Sequence, residues 1–199
     1  TDEYPLIHAK FYVTDGNDVQ IKNFQNEDFT IYENQVQKFV QDIKCPSNPV
    51  FNKISTVLTI DVSGSMKGER LDWVKSAASQ WIEQMDSLNE ETAITTFDDE
   101  ALLYSDFKIN KQLLLNSVAS LEIRNGTNYK NAFLDPYAGA LDIVRRARFQ
   151  PIIIFLTDGI GLSNFDPKDI INKASISGAI IYAISIDISL PEEMKKVSE

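Results

Sequence analysis

The 199-residue sequence holds one histidine and one cysteine, and sets only 19 Lys+Arg against 29 Asp+Glu, a formal net charge of −10. Each shortage excludes something. A lone Cys45 makes no internal disulfide, and a lone His8 builds neither a His-based zinc cage nor a relay of several imidazoles. Any Ser-His-Asp chemistry would have to run through His8. With no long basic run, the chain lacks the electrostatic footprint of a nucleic-acid binder, and an anionic membrane surface repels it. No apolar run approaches the roughly 20 residues that span a bilayer. The longest candidate, Pro151 to Leu156, reads as a buried strand, so direct membrane insertion is not expected. The chain opens at Thr1 without a basic-then-apolar leader, as expected after signal removal or of a piece of a longer polypeptide.

What is present is enough apolar material, 43% of residues, for one domain of ordinary size with a smaller appendage. Two textures meet near residue 50. From Leu6 to Ile43, short alternating runs such as Phe29-Thr30-Ile31-Tyr32 and Val36-Gln37-Lys38-Phe39 are separated by turns at Asp15-Gly16-Asn17-Asp18, Gln25 to Asp28 and Glu33-Asn34-Gln35. Residues 1–50 therefore read as a β-rich, partial-sandwich segment ending in a linker at Cys45-Pro46-Ser47-Asn48-Pro49. From 51 to 199, strands alternate with helices. Strands are expected at Ser55–Asp61, Thr92–Phe97, Leu102–Phe107, Ile152–Leu156 and Ala179–Ile186. Helices are expected over Leu71–Met85, Lys111–Leu121, Ala132–Arg148 and Pro167–Ser175, with a last one opening at Pro191. Thr92–Phe97 and Leu102–Phe107, joined by Asp98-Asp99-Glu100, should form an antiparallel pair with a solvated tip. Near-continuous apolar strands between amphipathic helices imply a Rossmann-like, doubly wound α/β fold. Its central sheet should be mainly parallel, with one antiparallel edge strand and helices on both faces.

Ligands of such folds bind at the carboxyl ends of the strands. There the sequence carries Asp61-Val62-Ser63-Gly64-Ser65-Met66, and after a later strand Leu156-Thr157-Asp158-Gly159. Between them, Arg124-Asn125-Gly126-Thr127-Asn128 offers a hydroxyl on a glycine-containing loop. Two Asp, two Ser and one Thr, without His or thiolate, form a hard-oxygen set suited to Mg²⁺ or Mn²⁺. Local alternatives exist for the first of these segments and for the Thr127 loop. Asp and Ser also favour helix caps and turns, and Asn125-Gly126-Thr127 is an N-glycosylation sequon.

These residues resemble the von Willebrand factor A domains, whose metal-ion-dependent adhesion site combines Asp-x-Ser-x-Ser with a separate Thr and a separate Asp. Asp61, Ser63 and Ser65 match the first element, Thr127 the second and Asp158 the third, in the family's order, over about residues 54 to 199. The resemblance implies a Mg²⁺ or Mn²⁺ site, Ca²⁺ fitting less well, held by Asp61, Ser63, Ser65, Thr127 and Asp158. Asp98 is a candidate to stand behind these ligands. It further implies a non-enzymatic, extracellular, periplasmic or cell-surface adhesion module. Its ion would keep one position for an Asp or Glu of a protein partner. The motifs Asp15-Gly16-x-x-Val19 and Asp28-Phe29-x-Ile31-x-Glu33-Asn34 resemble the β-rich segment preceding such domains in many bacterial proteins. The family's final edge strand is not evident before Glu199, so the A domain is expected to be cut short at its last helix, within a longer polypeptide.

Two other functions compete. A Mg²⁺-dependent phosphotransferase with Asp61 as nucleophile is disfavoured by Ser63, where such enzymes place a second Asp, and no phosphate-binding Gly-x-x-x-x-Gly-Lys-Ser/Thr loop occurs. A structural domain with a vestigial site is the other. His8, Cys45 and the cluster Arg145-Arg146-x-Arg148 read as structural or solvated residues, and Trp73 lies off the apolar stripe of its helix.

Overall fold

The computed structural model describes residues 13, 24–43, 53–161 and 165–198. His8, Cys45, the Asp15–Asp18 turn and the 45–49 linker lie outside the described residues. The chain divides into two compact units, Thr1–Val50 and Phe51–Glu199.

In the first unit, β1 (Ile31–Glu33) pairs antiparallel with β2 (Val36–Lys38). Their two-residue connection, Asn34 and Gln35, has φ of 51° and 66°. Two consecutive positive φ values match the strand twist of a tight hairpin, and Asn tolerates that conformation well.

The second unit runs β3 (Ile54–Asp61), α1 (Glu69–Gln84), β4 (Glu90–Phe97), β5 (Ala101–Lys108), α2 (Lys111–Ala119), α3 (Tyr129–Leu134), α4 (Ala140–Ile143), β6 (Gln150–Thr157), α5 (Pro167–Ser177), β7 (Ile180–Ser185) and α6 (Glu192–Ser198). The sheet order is β5-β4-β3-β6-β7, parallel except for the β4–β5 pair at one edge. The expected doubly wound architecture is thus what forms. β3 is buried along both faces because alternate side chains feed two separate cores. Val57 joins Ala93, Ile153, Phe155 and Ile181 beneath α3 to α6, whereas Leu58 and Ile60 join Ile94, Ile154 and Leu156 beneath α1 and α2.

The helix expected over Ala132–Arg148 is broken. α3 ends at Leu134, and Asp135-Pro136-Tyr137-Ala138-Gly139 intervenes before α4 and a 3-10 turn at Val144–Arg146. Pro136 cannot continue the hydrogen-bond ladder. The Asp135 carboxylate accepts from the amides of Tyr137 and Ala138 at 2.9 Å each, closing the turn instead. At the β4–β5 tip Asp99 and Glu100 are exposed as expected, whereas Asp98 is 5% exposed.

Strand register places the candidate residues together. Asp61 stands opposite Phe97, Ile60 opposite Leu156, and Thr157 opposite Ser185, so β3, β4, β6 and β7 all end on one edge.

Candidate functional site

Asp61 is the last residue of β3 and is fully buried. One carboxylate oxygen accepts from the Ser63 amide at 2.9 Å, which turns the chain off the strand. The other accepts from the Thr157 hydroxyl at 2.6 Å across the β3–β6 pair. Because Thr157 gives its only proton to Asp61, its oxygen must accept from its remaining neighbours. These are the Gly159 amide at 3.2 Å and the Tyr129 hydroxyl at 3.1 Å. Tyr129 is fully buried, wedged between Phe97 and Phe155, and burial pushes its hydroxyl up to about 12, so it stays a proton donor. Among the described residues no cation pairs with Asp61. Burial, followed by the neighbouring negative charge of Asp158, outweighs its hydrogen bonds and lifts its carboxyl to about 6.

Asp158 follows β6 directly and its side chain is fully buried. One oxygen accepts from the Ile160 amide at 2.9 Å, and the other lies 3.3 Å from Arg70 Nη1. Gly159 next to it has φ +84°, and a Cβ there would meet the Ile188 carbonyl at 2.6 Å. Only glycine fits, and the close approach carries two backbone bonds, Ile186 N–H to the Thr157 carbonyl at 3.0 Å and Ile188 N–H to the Asp158 carbonyl at 3.2 Å.

Ser63 is buried and Ser65 half-buried, and their hydroxyl oxygens lie 3.1 Å apart. The segment carrying Thr127 is fastened alongside: Arg124 N–H donates to the Val62 carbonyl at 2.6 Å, and Asn128 N–H to the Asp98 carbonyl at 2.7 Å. Thr127 itself is half-buried. Asp98 has its carboxylate on Arg124 Nε at 2.9 Å and on the Glu100 amide at 3.0 Å, so it steadies this loop. The Asp61–Ser65 turn, the Asp158 loop and the Thr127 loop therefore meet at one sheet edge, with Asp61, Ser63 and Asp158 buried and Ser65 and Thr127 half-buried.

That donor set fits a hard divalent cation. Two ligands at neighbouring corners of a Mg²⁺ octahedron, with bonds of about 2.1 Å, lie about 3.0 Å apart, close to the spacing of the two serine oxygens. Among the described residues no cluster of three or more His, Cys, Asp or Glu offers a metal site. A groove of about 560 Å³ lies at the opposite end of the sheet, but its Arg148 and Arg146 are already paired with Glu91 and Asp106 at 2.6 and 2.9 Å.

Residues 56–160, more than half of the chain, match the sequence profile of the von Willebrand factor type A domain. The chain belongs to that family. Solved structures share the fold. BatB from Bacteroides thetaiotaomicron superposes with a TM-score of 0.52 at 15% identity, over 66% of either chain. An aerotolerance-related membrane protein from Bacteroides fragilis gives 0.53 at 16%, covering 66% of this chain and 67% of its own. Proximal thread matrix protein 1 of the mussel byssus, with a zinc-occupied MIDAS motif, gives 0.58 at 15%, over 73% of this chain and 39% of its own. The chain thus spans about two thirds of the first two proteins and about two fifths of the third. Among curated protein sequences, none matches it.

Sequence reasoning missed three residues that contact the candidate site's carboxylates or their partners: Thr157, Tyr129 and Arg70. Thr157 had a usable signal, since it ends a buried strand one register step from Asp61. Tyr129 and Arg70 reach the site from helices, and no local pattern marks them.

Proposed function

We propose that this A domain is a metal-dependent protein-interaction module. The carrying observation is the pair of serine oxygens 3.1 Å apart beside a buried Asp61 carboxylate that has no cationic partner among the described residues. Ser63, Ser65 and Thr127 would supply neutral oxygen ligands, and Asp61 and Asp158 the negative charge, directly or through water. Only two carboxylates then face a dication, so the bound ion retains Lewis acidity towards an incoming Asp or Glu of a partner protein. Hard oxygen ligands favour Mg²⁺ or Mn²⁺ over softer ions. A cell-surface or extracellular setting is supported by the settings named for two fold relatives, a bacterial membrane protein and a byssus matrix protein.

The test is calorimetric titration of metal-stripped protein with Mg²⁺ and with Mn²⁺, before and after Asp61→Ala. Saturable binding is expected in the wild type and none in the variant. Identical heats in both would sink the proposal. A metal-saturated protein should then bind an acidic peptide surface, and chelator should reverse that binding.

A further inference from the structure

Arg70 lies in the first turn of α1, and its guanidinium bridges three parts of the site. Nη1 donates to the Ser65 carbonyl at 2.8 Å and lies 3.3 Å from an Asp158 carboxylate oxygen. Nη2 pairs with the carboxylate of Asp187, which stands after β7 on the exposed segment that leads to α6. One positive charge is thus divided between a buried acid and an exposed one. Asp61, Asp158 and Asp187 together carry three negative charges against this one guanidinium, leaving a deficit of two that a dication would neutralise.

Resting on the metal-site reading above, we propose that Arg70 is a built-in competitor for Asp158 whose pull is held in check by Asp187, so that this pair sets the affinity for the divalent ion. A guanidinium on Asp158 lowers the negative charge offered to a metal and adds a like charge beside it. Asp187 draws the same guanidinium outward. Arg70 is a positioning residue in this scheme: it binds neither metal nor partner but determines how much of the Asp158 charge is available. The Asp187 segment is itself tied to the site by the backbone bonds from Ile186 and Ile188. Any partner or neighbouring segment that displaced Asp187 would therefore weaken metal binding without touching a ligand.

Two substitutions with opposite expected signs test this. Mn²⁺ is titrated calorimetrically into the metal-stripped 199-residue chain. Arg70→Gln should tighten binding about tenfold, the order expected when one like charge leaves a partly exposed site. Asp187→Asn should weaken it several-fold, and most of that loss should vanish in the Arg70→Gln background. Arg70→Lys, which keeps the charge, should stay near the wild type. A purely structural role for Arg70 would make Arg70→Gln neutral or weaker, and that result overturns the inference, as does an Asp187→Asn effect of equal size in both backgrounds. Asp187 is exposed and its substitution leaves the core intact, and should Arg70→Gln fold poorly, Arg70→Met serves as the uncharged background for the same two comparisons. A wild type that binds no Mn²⁺ would overturn the site reading and this inference together. A wild type that binds while both variants match it overturns the inference alone.

Discussion

Replacing Asp61 by Asn should stabilise the metal-free protein at neutral pH while abolishing its response to metal. Asp61 is 0% exposed, and its carboxyl is raised from 3.8 to about 6, chiefly by burial. The sign follows from proton binding. Between about pH 4 and pH 6 the folded state holds a proton that the unfolded state has released, so stability falls as pH rises through that window and the full cost is present above it. A shift of about two units corresponds to about 3 kcal/mol, or about 6–12 °C in Tm for a chain of this size. Asn keeps the side-chain shape and an acceptor for the Ser63 amide but carries no charge. Its advantage over Asp in chelator should therefore be near zero at about pH 4 and grow to about 3 kcal/mol by pH 7. Urea unfolding of both proteins in chelator across that range measures it. Saturating Mg²⁺ should reverse the order, because an ion that binds only the folded wild type stabilises that protein alone. Parallel pH profiles in chelator, or an Asn variant less stable than wild type at pH 7, would refute the reasoning.

Three further outcomes follow from the packing. Phe155 stacks on Phe97 and Phe133 with centroids 4.9 Å away in each case, so Phe155→Ala should lose about 3–5 kcal/mol in chemical unfolding. Tyr129→Phe removes the donor to Thr157 and should cost about 1 kcal/mol in the same assay, leaving the core unchanged by near-ultraviolet circular dichroism. Asp86 caps the turn between α1 and β4, accepting from the Leu88 amide at 3.0 Å and from Asn89 Nδ2 at 2.7 Å, and these bonds lower its carboxyl below 3.8. Its contribution is present above that value and lost as pH falls through the lowered one. Asp86→Ala should accordingly unfold more easily at pH 6, with the gap closing in strong acid.

The strand pattern was legible because it obeys a local rule. Runs such as Val57-Leu58-Thr59-Ile60 are apolar on both faces only when both faces are covered, which already implies helices above and below a parallel sheet. The ligand-type residues were legible for a related reason: a strand end followed by small, oxygen-bearing residues and glycine has little to contribute to a core. The break after α3 was partly visible in Pro136, but the helical spacing of apolar residues on either side masked it. Asp98 was misread as solvated because nothing in its neighbours announces Arg124, 26 positions away.

By itself, the sequence determined the alternation of strands and helices, the sheet's parallel character and the supply of hard oxygen in place of imidazole and thiolate. Tertiary structure alone decided how the charges around those oxygens are shared. The hydrogen bond from Thr157 to Asp61 spans 96 positions, and the Arg70 contacts with Asp158 and Asp187 span 88 and 117. Hydrophobic periodicity is written in neighbours three or four residues apart. Electrostatic partnership depends on distance in space and on the exclusion of water, and both exist only once the chain has closed on itself.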